Sequence, residues 1–216
     1  MKEAQLYLRL TSETEPQHVA DALLSEVNDE ESWASIRLPD DALPVLTRTE
    51  GPDLALPDLI FSFTLSDAAI DAVTTTLQRP ENAIDKTSSS FAVFTRHVIL
   101  EGRDTVRLFY GLRKLPSMSL DQFHDYWLNH HADYGRRMIP PYSYHQLHAD
   151  PAAAASLSGT LDIPASTLDG VVEVDFPSVA ALVAQLTRPD VAEEALEDER
   201  KFIDHSRSMI WAYQTS

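Results

Sequence analysis

The chain has 216 residues, 44% of them hydrophobic, with 17 basic and 34 acidic side chains for a net charge of −17, and no cysteine. That length carries one domain or two small ones, and the missing thiols exclude disulfides, thiolate metal sites and a cysteine nucleophile. The negative field opposes nucleic acid and anionic membrane surfaces. No apolar run nears the roughly 18 residues of a spanning helix, and the polar start Met1-Lys2-Glu3-Ala4-Gln5 lacks a signal design, so the expectation is a soluble cytoplasmic protein.

The elements then follow in chain order. Gln5 to Leu10 alternates, with Leu6, Leu8 and Leu10 on one face, and predicts a half-buried strand. Pro16 suits the first turn of a helix carrying Val19, Ala22, Leu23 and Val27. Trp33 to Leu38 reads as a strand, and the proline- and acid-rich residues 39–57 as a loop, with room for a short strand at Val45-Leu46. Leu59 to Leu65 is a strand, Ser66 caps a helix with Ile70, Val73 and Leu77, Arg79-Pro80 ends it, and Phe91 to Leu100 is a long strand.

After Glu101-Gly102-Arg103-Asp104 the order restarts. Strands are expected at Val106–Tyr110, Tyr144–His148, Gly170–Phe176 and Ser208–Tyr213, a helix from Ser119 to about Arg137, a loop over 150–168, and a helix from Ser178 to about Asp204. Gln78-Arg79-Pro80-Glu81 echoes Thr187-Arg188-Pro189-Asp190 at an offset of 109. The repeated β-α-β-β-α-β order makes an internal repeat the working reading: an α+β chain of two tandem ferredoxin-like halves, 1–102 and 103–216, whose bare sheet faces pack into a barrel.

The helix near residue 120 carries the chemistry. Ser119 and Gln122 form a capping box, and Met118 and Phe123 a hydrophobic staple. At about 100° per residue, Phe123, Trp127, Tyr134 and Met138 share a stripe. His130 and His131 flank it on either side, so periodicity alone does not choose between them. No helical pair has the His-x-x-x-His spacing of one-face chelation, and His145 and His148 point to opposite faces of a strand, so no metal is expected. Phosphate loops, Gly-x-Gly-x-x-Gly and Gly-x-Ser-x-Gly are absent, which argues against kinases, dehydrogenases and hydrolases.

Phe123-x-x-Tyr126-Trp127-x-x-x-His131 resembles the helix signature of EthD-type proteins of the dimeric α+β barrel superfamily. Arg107 to Lys114 looks like that family's first strand, and Asp198-Glu199-x-x-Phe202-Ile203-Asp204 resembles its second signature. The resemblance spans roughly 105–215. Residues 1–102 lack both signatures and read as a degenerate repeat supplying the partner that a homodimer would otherwise provide.

The resemblance implies a cofactor-independent lyase, isomerase or oxygenase acting on a small aromatic or polyketide-like molecule. It favours His131 over His130 as the cleft acid or base, with an ordinary pKa near 6.5. Asp198 is the second catalytic candidate, either orienting that histidine or anchoring the helix end, and Asp204 stays open beside it. Tyr110, Trp127, Tyr134 and Phe202 are the substrate-binding candidates. Barrels of this size also resemble chlorite-dismutase-type haem proteins, but no haem motif stands out and no cofactor is expected. A homodimer remains compatible, and the competing function is a non-catalytic barrel that binds a small ligand or assists assembly.

Overall fold

A computed structural model describes residues 2–11, 14–43, 56–137, 142–189 and 193–215. The first half runs β1 (Lys2–Leu8), α1 (Pro16–Val27), β2 (Trp33–Arg37), β3 (Leu59–Thr64), α2 (Asp67–Leu77), a 3-10 turn (Pro80–Asn82) and β4 (Ser90–Leu100). The second runs β5 (Val106–Leu112), α3 (120–136), β6 (Ser143–Ala149), α4 (Pro151–Leu161), β7 (Gly170–Phe176), α5 (Val179–Leu186), α6 (Glu194–Glu199) and β8 (Met209–Thr215). The strands close into one barrel in the order β1-β3-β2-β8-β5-β7-β6-β4. Within each half the strands lie 4-1-3-2, and the antiparallel pairs β2–β8 and β4–β6 join the halves. The fold is a two-half α+β barrel, with helices on the outside of the sheet.

Three expectations need correction. Residues 150–168 are not all loop, because α4 occupies Pro151–Leu161. Asp150 caps it by accepting from the Ala153 amide at 3.0 Å, Pro151 fits its first turn, and the alanines that read as small loop residues are the strongest helix formers. The long helix expected from Ser178 to Asp204 is interrupted: among the described residues α5 ends at Leu186, ahead of Arg188-Pro189, and α6 runs Glu194–Glu199. The first strand begins at Lys2 and stops at Leu8, and it is not half-exposed: both faces are buried. The strand suggested at Val45-Leu46 and the stripe position Met138 lie outside the described residues.

Barrel closure explains that burial. Leu6 and Leu8 face the helices, while Glu3, Gln5 and Tyr7 line the interior, where they meet charged residues of the other half. Gln5 donates to Glu173 at 2.7 Å, and Arg96 pairs with Glu3 at 2.7 Å and Glu173 at 3.2 Å. Arg107 donates Nε to Asp175 at 2.6 Å and lays its guanidinium 3.6 Å over the Trp33 ring. Burial and the neighbouring Glu173 raise the Glu3 pKa despite Arg96. Burial opposes the Arg107 charge, but Glu173 and Asp175 outweigh it. Removing one partner from such a network leaves a buried charge uncompensated.

Candidate functional site

The site lies on the outer face of the second half, between its strands and α3. Ser119 caps α3 by accepting from the Gln122 amide at 3.1 Å, while Gln122 Oε1 accepts from the Ser119 amide at 2.9 Å. The helix is α-helical over Leu120–Tyr126, becomes a π turn over Trp127–His131, and returns to α over Ala132–Arg136. A π turn inserts one extra residue and so rotates everything that follows it. Gln146 of β6 donates to the Trp127 carbonyl at 3.1 Å, within that turn.

Two glycines allow the helix to sit this close. A Cβ at Gly170 would come within 2.5 Å of the Trp127 ring, and one at Gly135 would run into the Tyr144 ring. Trp127 is fully enclosed, stacks 4.8 Å from His148, and donates its indole N–H to the Tyr144 hydroxyl at 3.2 Å.

At the π turn the two flanking histidines part. His130 is exposed, while His131 is buried at 8% exposure. The Nδ1 of His131 lies 2.8 Å from Asp198 Oδ2. Asp198 Oδ1 accepts from the Tyr126 hydroxyl at 2.8 Å and from Lys201 at 2.9 Å. Burial pushes the Asp198 pKa up, but hydrogen bonds from Lys201, His131 and Tyr126 outweigh it and hold the carboxyl below its usual range. Burial lowers the His131 pKa, against the pull of Asp198. Near pH 7 the pair is therefore a neutral imidazole on an ionised carboxylate. The carboxylate can only accept, so Nδ1 carries the proton and Nε2 keeps a free lone pair.

Phe202 is enclosed 5.0 Å from the His131 ring, and Tyr134 lies 5.2 Å from it. His131, Asp198, Phe202 and Tyr134 thus form one group. Tyr110 borders the Phe123–Trp127–Phe202 cluster and bonds instead to His205, its hydroxyl 2.8 Å from Nδ1. Trp127 and Phe202 are packed on all sides and present no open face. Asp204 turns away from His131, bonding Ser206 and Arg207.

Sequence reasoning missed Glu199. Burial and the adjacent Asp198 push its carboxyl up to about 8, so it is largely protonated at neutral pH. The acidic pair at 198–199 was visible, but only the fold turns one member to His131 and the other to the sheet. His97, His124 and His148 also gather, with ring centroids 4.3 Å and 4.4 Å apart. The His124 and His148 rings stack while His97 is tilted, and His124 Nε2 is bonded to the Asp169 carbonyl at 2.8 Å. Among the described residues no group of three or more His, Cys, Asp or Glu is arranged to hold a metal ion. Between α3 and the sheet, Phe123, Trp127 and Phe202 are fully enclosed.

Comparison with known proteins agrees with this geometry. No curated protein matches the chain. Among solved structures, a protein named "Putative Chlorite dismutase TA0507" superposes with a TM-score of 0.54 at 14% identity, covering 100% of this chain and 94% of its own. A "Putative monooxygenase" from Fusobacterium nucleatum gives 0.56 at 7% identity, covering 99% and 90%. A dye-decolorizing peroxidase from Bacteroides thetaiotaomicron gives 0.54 at 6% identity, covering 99% and 92%. At such identities the likeness establishes the fold alone. No described helix is long and apolar enough to cross a membrane. Residues 115–206, which include both signatures and the His131–Asp198 pair, match the EthD domain family.

Proposed function

We propose that this protein is a cofactor-independent enzyme of lyase, isomerase or oxygenase type that moves a proton on a small aromatic or polyketide-like molecule. The observation that carries the reading is the buried 2.8 Å contact between His131 Nδ1 and Asp198. It leaves Nε2 as an unprotonated base at pH 7, in the tautomer that an orienting carboxylate selects. Asp198 is kept ionised by Lys201 and Tyr126, so it stabilises the imidazolium once His131 has taken a proton. Phe202 and Tyr134 both pack against the ring.

The test is turnover of a panel of aromatic ketones and poly-β-keto compounds by the wild type and by His131→Gln. The substitution is expected to remove turnover by roughly 100- to 10,000-fold, with an unchanged melting temperature. Retained turnover would overturn the assignment. The enclosed aromatic layer favours the second reading, a barrel that binds a small ligand without converting it. In that case His131→Gln weakens binding of a panel compound that the wild type never converts.

A further inference from the structure

We propose that Tyr110 is the second proton-transfer group of this site, delivering a proton to a substrate oxygen, with His205 and Glu199 as the positioning residues behind it. The proposal rests on the reading of His131 as the base and deepens it by naming the acid and the substrate class, an enolisable carbonyl compound.

The three residues come from separate places in the fold. Tyr110 lies on β5 with its side chain toward the helices, against the same aromatic cluster that Phe202 shares with His131. Glu199 ends α6, and His205 sits in the turn before β8. The Tyr110 hydroxyl is 2.8 Å from His205 Nδ1. The opposite ring nitrogen, Nε2, is buried without a hydrogen-bond partner and stands 3.7 Å from Glu199 Oε2. A buried ring nitrogen left unpaired beside a carboxyl calls for an explanation. The relay requires that 3.7 Å separation to shorten to hydrogen-bond distance.

Protonation states agree with that geometry. Burial, with Asp198 beside it, raises the Glu199 carboxyl to about 8. Burial and Arg200 lower the His205 pKa against the pull of Asp204. Burial and Glu199 push the Tyr110 phenol well above its ordinary value. Tyr144 of β6 also feels Glu199. Near pH 7 the line is a carboxylic acid, a neutral imidazole and a neutral phenol, which relays a proton without resting charge.

The step balances as follows. His131 Nε2 takes a proton from the carbon next to the substrate carbonyl. The C–H electron pair becomes the enol C=C bond, and the carbonyl π pair moves to oxygen. The Tyr110 O–H bond breaks to protonate that oxygen, His205 Nδ1–H reprotonates the tyrosinate, and Glu199 reprotonates His205 at Nε2. Reverse transfer on another carbon, or exchange with solvent, resets both ends.

The experiment uses 2-tetralone as the probe and follows deuterium exchange at its activated carbon by proton NMR in D2O. The wild type is expected to accelerate exchange, Tyr110→Phe to slow it on the order of 100-fold, and Glu199→Gln to abolish the loss of rate above about pH 8. In parallel, the nitrogen-15 shifts of the His205 ring should show an inflection near pH 8, where Glu199 loses its proton, and Glu199→Gln should remove it. If Tyr110→Phe keeps the rate that His131→Gln loses, the proposal fails and the base assignment stands. If His131→Gln keeps the rate, or the wild type accelerates no exchange, the base assignment falls and takes the proposal with it. A wild-type His205 signal with no inflection near pH 8 removes the relay even where Tyr110 matters.

Discussion

The two helix–sheet layers of this barrel rest on the same strand order and are filled in opposite ways. In the first half, α1 and α2 cover the sheet with Leu6, Leu8, Val19, Leu23, Phe61 and Val73, an apolar layer. In the second, the equivalent space holds His131, Asp198, Tyr110, Glu199, Tyr144 and His148 around three aromatic rings. One layer supplies stability to the fold. The other places titratable groups in poor solvent, where pKa values move apart and proton transfer becomes available. Equal architecture therefore does not imply equal chemistry, and we propose that the first half acts as the internal counterpart of the second.

The sharpest break in that comparison comes from placing a charge in the apolar layer. Val73 is fully enclosed, so Val73→Asp strands a carboxylate with no partner and is expected to unfold the chain at room temperature, as far-UV circular dichroism would report. Phe61→Ala is the milder version, costing about 3–5 kcal/mol in urea denaturation. By contrast, His131→Leu trades a paired imidazole for an apolar side chain of similar size. It should leave the urea midpoint close to wild type while ending turnover. A collapse of the fold in His131→Leu would mean that the pair is structural and the two layers are alike.

Asp198→Asn gives a smaller, directional effect. The amide keeps the shape but loses the charge, so His131 loses the partner that raises its pKa and Lys201 loses its counter-ion. The His131 titration should move further down, and turnover should fall by about 10- to 100-fold. An unchanged His131 titration in nitrogen-15 spectra would show that the carboxylate does not govern the ring.

Much of this comparison could be read before the structure. Strand order, the capped start of α3 and the apolar spacing of α1 and α2 follow local rules that short windows carry. Two things were hidden for physical reasons. Alternation in β1 announced a polar face, but a strand pattern does not say whether such a face meets water or a closed interior, and here Gln5 meets Glu173 beside Arg107 and Asp175. Likewise, periodicity left His130 and His131 symmetric about the aromatic stripe. The π turn that separates them arises from helix–sheet contact, with Gln146 taking up the Trp127 carbonyl, and a regular 100° wheel has no place for it. Glu199 was equally out of reach, since its burial depends on how α6 docks.

The smallest expected effect is a pH signature confined to the second layer. Burial, together with His124 and His97, lowers the His148 pKa from 6.5 to about 2. A histidine depressed in the folded state binds its proton more readily when unfolded. Its contribution is whole above about pH 6.5 and drains away as pH falls toward 2. Glu199 runs the other way: raised from 4.5 to about 8, it favours the fold below pH 4.5 and loses that contribution as pH rises toward 8. Each group can tilt stability by at most about 1.4 kcal/mol per pH unit. His148→Phe should therefore flatten the acid limb of a urea-stability profile, and Glu199→Gln the rise in sensitivity between pH 4.5 and 8. Phe61→Ala should lower the whole curve without changing its shape, because Phe61 packs among apolar side chains. If Phe61→Ala bends the profile and His148→Phe does not, the division of labour between the two layers is wrong.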